Sequence, residues 1–137
     1  MKRILTGGLL ALSVFTSSAV ADDSAWAPTV FNLDNGMEVV VVPDHRAPVV
    51  THMVWYKVGA VDEAEGKSGI AHLFEHVMFK ETDDLAPGEF DNIVSRNGGV
   101  SNAFTSWDYT AYYERVAKDQ LGTMMGLEAE RMTDLII

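Results

Sequence analysis

Gly69-Ile70-Ala71-His72-Leu73-Phe74-Glu75-His76-Val77-Met78-Phe79-Lys80 is the stretch on which the reading of this chain turns. On an α-helix, residues at i and i+4 lie one turn apart on the same face, so the imidazoles of His72 and His76 can reach one point in space. Glu75 follows His72 by three positions and falls beside that point. Two neutral nitrogen ligands, an open coordination position and a nearby carboxylate are the minimum for activating water on zinc. The five residues from His72 to His76 therefore read as a hydrolase site. They also fit an amphipathic helix whose histidines are partly exposed or satisfied in a core, and the surrounding chain has to decide. Ile70, Leu73, Val77 and the adjacent Phe74 supply an apolar face, while His72, Glu75, His76 and Phe79 fall on another. The histidines thus lie between apolar positions and would face a partly enclosed cleft.

Working outward, Gly59 to Gly69 is an acidic loop, and Ser68 or Gly69 is placed to cap a helix from Ile70 to about Phe79. Upstream, Thr29 to Leu33 and Met37 to Val42 are β-prone runs joined by Asp34-Asn35-Gly36, and Asn-Gly is a strong hairpin signal. Pro43 to Pro48 is a loop carrying His45. Val49 to Val58 reads as a buried strand, and within it His52 reads as packed or half-exposed, not as a ligand. Downstream, Gly88 to Arg96 reads as a short helix stopped by Asn97-Gly98-Gly99. Val100 to Trp107 and Tyr109 to Val116 are two further strands linked tightly around Asp108. Gln120 to Ile137 reads as a helix with Leu121, Met125, Ala129, Met132 and Ile136 on one face and Met124, Leu127 and Leu135 beside it. Hairpin links with grouped helices predict an α+β fold, an antiparallel sheet with helices packed on one face.

The first 21 residues read as a secretory signal: Lys2 and Arg3, an apolar run from Ile4 to Phe15, and Ala19-Val20-Ala21 before Asp22. That run is shorter than the roughly 20 residues a membrane span needs. The expectation is an exported, periplasmic protein with no stable membrane insertion once the signal is cleaved. A polar linker at 22–28 then leads into the folded region over 29–137. The chain has no cysteine, so disulfides are excluded and His, Asp and Glu remain as the strong metal ligands, which favours a catalytic over a thiolate-type structural zinc site. A net charge of −10 argues against nucleic acid or an anionic membrane as partner and leaves peptides and small solutes open. The apolar ending Asp134-Leu135-Ile136-Ile137 has no cap or polar tail, which is the reading of a fragment truncated at its C-terminus.

In this context the chain resembles the pitrilysin/insulinase family of inverted-motif zinc metallopeptidases (M16-like), which includes mitochondrial processing peptidase and bacterial periplasmic relatives. Leu33-Asp34-Asn35-Gly36-Met37 resembles the family's opening hairpin, and Gly69 to Lys80 its zinc helix. Gly98-Gly99-Val100-Ser101-Asn102-Ala103-Phe104-Thr105-Ser106 and Asp108 to Glu114 resemble the strand pair that follows. The likeness covers about Thr29 to Ile137, and it implies that 29–137 is the N-terminal portion of a zinc peptidase catalytic domain. It implies the half-domain fold of a processing peptidase, with His72 and His76 as Zn2+ ligands. Glu75 would be the general base that takes a proton from the activated water and passes it to the leaving amine. An extended peptide or small-protein substrate would add to a strand edge at Asn102 and Ala103 through backbone hydrogen bonds.

The third ligand implied by the resemblance is a glutamate on a later helix, past Ile137. Glu128 and Glu130, with Arg131, read instead as the solvated polar face of the last helix. A second peptidase-like domain or subunit is also implied. The resemblance thus points to a zinc metalloendopeptidase parent, with the fragment alone inactive or nearly so. The alternatives are a non-catalytic, peptidase-like binding or scaffold subunit, against which intact His72, Glu75 and His76 argue, and a periplasmic metal-binding protein without peptidase activity.

Overall fold

A computed structural model describes residues 27–136. The signal segment expected at 1–21 and most of the linker at 22–28 lie outside the described residues. Two compact units divide the chain, one ending at Asp44 and one running from His45 to Ile137.

The first unit is a hairpin of β1 (Thr29–Asn32) and β2 (Glu38–Val41), paired antiparallel with Thr29 opposite Val41. Its turn closes where the sequence places it. The Leu33 N–H donates to the Met37 carbonyl at 2.9 Å, and the Met37 N–H donates to Asn35 Oδ1 at 3.0 Å. An Asx side chain bonding the backbone two residues on is the mechanism that makes Asn a turn former.

The second unit runs β3 (Val49–Tyr56), α1 (Ile70–Val77), α2 (Glu89–Arg96), β4 (Val100–Thr105), β5 (Thr110–Ala117) and α3 (Leu121–Thr133). Its sheet is antiparallel with β5 in the middle, in the order β3-β5-β4. Val50 lies opposite Val116, His52 opposite Glu114 and Thr105 opposite Thr110. Because side chains alternate along a strand, these residues share one face of the sheet with Tyr112. The helices cover that face. Phe90 and Val94 of α2 and Met124 and Leu127 of α3 close with Leu85 on Val116, with Val50 and Ile93 at the margin. The opposite face carries an aromatic group in which Trp55 meets Phe104 at 5.6 Å and Tyr109 at 5.0 Å between ring centres. None of the helices among the described residues is long and apolar enough to cross a membrane. The α+β reading holds, with the hairpin and the three-stranded sheet forming separate ladders.

Two glycines set close geometry. At the end of α2, Gly98 takes φ +71°; its N–H bonds the Ser95 carbonyl at 2.9 Å and the Gly99 N–H bonds Val94 at 3.0 Å. These are the paired bonds of a Schellman stop, where a left-handed residue favours glycine. Gly59 instead serves contact. Ala60 and Val61 donate to the carbonyls of Ser106 and Trp107, each at 3.0 Å, clipping the loop after β3 to the β4–β5 turn. A Cβ on Gly59 would stand 2.4 Å from the Trp107 oxygen and 2.6 Å from that of Ser106. Gly59→Ala is therefore expected to destabilise the fold by about 1–3 kcal/mol, read as a lower urea midpoint. An unchanged midpoint would mean that the clip gives way freely.

α3 corrects the sequence reading. It ends at Thr133, and its buried residues are Met124, Leu127, Glu128 and Arg131, whereas Met125, placed on the apolar stripe, is 53% exposed. Glu128 and Arg131 are not solvated. The Arg131 Nε–H donates to Glu128 Oε2 at 3.1 Å and Nη2 donates to Glu128 Oε1. Nη2 also lies 3.8 Å from Glu114 Oε1 on β5. The guanidinium carbon stands 4.3 Å from the centre of the Tyr112 ring and 4.6 Å from that of Phe90. A charged pair that finds a third charge and two aromatic faces can be buried, and hydropathy along one helix does not register such partners.

Candidate active site

α1 is positioned at its first turn and along one side. Gly69 is its N-cap, with no side-chain cap of its own. Two of the N–H groups at the helix start are taken by Glu63 of the preceding loop, whose carboxylate accepts from Gly69 and from Ala71, each at 2.9 Å. A carboxylate there also complements the positive end of the helix dipole. Sequence reasoning placed the cap at Ser68 or Gly69 and missed Glu63, whose role depends on the path of the loop.

The helix turns Ala71 and Glu75 inward. Ile70, Leu73 and Phe74, read as the apolar face, are instead 37%, 60% and 51% exposed. Ala71 is small enough to let the helix approach the sheet, and Glu75 finds a polar partner there. The Thr105 hydroxyl at the end of β4 donates to Glu75 Oε2. His72 and His76 stay exposed, their ring centres 4.7 Å apart and their planes inclined by 56°. The helix thus presents two neighbouring imidazoles to solvent and holds a carboxylate, only 7% exposed, between them and the sheet.

That donor set suits a borderline-soft divalent ion such as zinc, for which imidazole nitrogen is a preferred ligand. Among the described residues no third His, Asp or Glu groups with the pair. The three-ligand grouping found there is His52, Glu114 and Glu128, and it is already an ion network. His52 Nδ1 lies 3.2 Å from Glu114 Oε2, and Arg131 neutralises the carboxylates from within, so an added cation would have to displace the guanidinium. Burial, then the hydrogen bond with Glu114, pushes the Glu128 carboxyl up to about 7 against the pull of Arg131. Burial likewise pushes the neighbouring Tyr112 phenol up to about 12.

Asn102 and Ala103 lie in the middle of β4, which pairs with β5 on one side only among the described residues. Ser106 N–H donates to Tyr109 O at 2.8 Å, and in the alternating antiparallel pattern this sends the Ala103 N–H to the open edge. There it is met by Asn102 Oδ1 at 2.9 Å. Past the end of this edge a cleft of about 480 Å³ is lined by Gly69, His72, Thr105, Ser106 and Trp107. The structure therefore brings His72, His76 and Glu75 together and sets the β4 edge and this cleft beside them.

The family model described as Insulinase (Peptidase family M16) matches residues 38–135. The zinc protease PqqE of Helicobacter pylori is 43% identical over 138 residues, covering 98% of this chain and 31% of that protein. The crystal structure of a protease from Helicobacter pylori superposes with a TM-score of 0.78 at 46% identity, over 81% of this chain and 27% of that one. The first half of the periplasmic protease PqqL from Escherichia coli has the same fold, with a TM-score of 0.72 at 24% identity over 80% of this chain and 25% of that one. The chain spans less than a third of the length of these relatives. With a family match over most of its residues, the chain belongs to the insulinase family of peptidases, peptidase family M16.

Proposed function

We propose that the full-length protein carrying this chain is an exported, periplasmic zinc metalloendopeptidase that cuts extended peptides or small proteins. The observation that carries this reading is the exposed His72–His76 pair one helical turn apart, with the buried carboxylate of Glu75 beside it. His72 and His76 would hold the ion, and a third ligand would come from outside these residues. Bound there, zinc would supply Lewis acidity for water and for the scissile carbonyl. Glu75 would take the proton of the attacking water and return it to the leaving amine. The Ala103 N–H and the free edge of β4 would align the peptide backbone beside the pair, with Asn102 Oδ1 giving way to the peptide carbonyl.

The relatives named as proteases support the activity, and the periplasmic first half of PqqL supports export and a second peptidase-like half. Zinc analysis and peptide-cleavage assays on the full-length protein test the reading. One zinc per catalytic domain is expected, with cleavage abolished by chelation and restored by zinc. His76→Ala should weaken zinc binding by at least about 100-fold, since it removes one imidazole from a small ligand set. Wild-type zinc affinity in that variant, or wild-type protein that binds peptides without cutting them, would overturn the proposal, the latter in favour of a non-catalytic binding subunit.

A further inference from the structure

We propose that Thr105 is a positioning residue for Glu75: its hydroxyl fixes the carboxylate beside the histidine pair and ties it to the strand along which a peptide would lie. The inference rests on the peptidase reading above and adds to it a specific link between substrate strand and base. Glu75 is nearly buried, and a carboxylate in such a place needs a donor. Among the described residues its partner is the Thr105 hydroxyl, on Oε2. Oε1 makes no hydrogen bond among them, so the Thr105 hydroxyl alone sets the direction of the carboxylate.

Thr105 is well suited to hold a direction. It is β-branched, so its χ1 is stiff, and it sits where the backbone is pinned from several sides. Thr110 opposite it donates its hydroxyl to the Val58 carbonyl at 3.0 Å, and Ser106 bonds Tyr109 at 2.8 Å. The next two carbonyls, of Ser106 and Trp107, are held by Ala60 and Val61. The same loop carries Glu63, which caps α1 at Gly69 and Ala71. Helix and strand end are therefore braced through one loop, and the Thr105–Glu75 bond is the side-chain contact that completes the brace at the reacting position. A peptide added to the β4 edge would lie on the strand that orients the base. Misplacing a catalytic group by about an ångström costs on the order of 100-fold in rate.

Two measurements on the full-length protein test this. In the metal-free protein, a double-mutant cycle of Thr105→Val and Glu75→Met on the unfolding equilibrium should be non-additive by about 5-fold or more. Additive effects would overturn the link. In the zinc-loaded protein, Thr105→Val should lower kcat about 10- to 100-fold with KM and zinc content unchanged, and Thr105→Ser should restore most of the loss. A change confined to KM, or Thr105→Ser as impaired as Thr105→Val, would overturn the positioning role. Thr105→Ala serves both arms if Thr105→Val does not fold. Wild-type protein that cleaves nothing would remove the peptidase reading, while the metal-free cycle still decides whether Thr105 holds Glu75.

Discussion

Glu75→Gln is expected to lower peptide cleavage by the full-length protein about 10³-fold or more and to leave its zinc content unchanged. An amide has the shape of the carboxylate but cannot accept a proton at neutral pH, and general acid–base catalysis contributes about 10²–10⁴-fold. Its carbonyl oxygen can still accept the Thr105 hydroxyl, so the helix should keep its place against β4. The comparison that matters is zinc stoichiometry beside kcat. Wild-type turnover would remove Glu75 as the base, and loss of zinc would make it a ligand instead.

The second large effect is on stability. Arg131→Met should destabilise the full-length protein by about 3–5 kcal/mol at neutral pH, because it strips the cation from buried carboxylates. Glu114 and Glu128 are each 1% exposed and Arg131 only 2%; His52 Nδ1 and the Tyr56 ring face the same group. Burial and Glu114 push Glu128 from 4.5 up to about 7, so the folded chain keeps a proton there that the unfolded chain releases. That contribution is complete below about pH 4.5 and is lost as the pH rises through about 7. Without Arg131 the carboxylates have more to gain from protonation, so the variant should lose more stability at pH 8 than at pH 5. Urea unfolding at the two pH values measures this. Equal losses at both would show that the guanidinium does not neutralise the carboxylates. Glu128→Gln should flatten the pH dependence in the same window.

Much of this fold could be read along the chain. The Asn35 turn, the stop at Gly98 and Gly99 and the strand segments all rest on local chemistry, and each stands where its residues place it, to within a few positions. Boundaries shifted where no local signal marks them: α1 ends at Val77 and α3 at Thr133, both short of the expected ends. The histidine pair was equally legible, since i and i+4 spacing is a property of the helix itself. Sidedness was not. Ile70, Leu73 and Phe74, read as part of the apolar face of α1, are turned outward, and Glu128 and Arg131 of the polar face assigned to α3 are buried.

His72-Leu73-Phe74-Glu75-His76 determined by itself that two imidazoles share a helix face next to a carboxylate, because helical geometry is set within one turn of chain. Only the tertiary structure decided what holds that carboxylate and which charges could leave water. Thr105 meets Glu75 across 30 positions, and His52 meets Glu114 across 62. Burying a charge is favourable only where a partner waits, and such partners are supplied by packing, not by spacing along the chain.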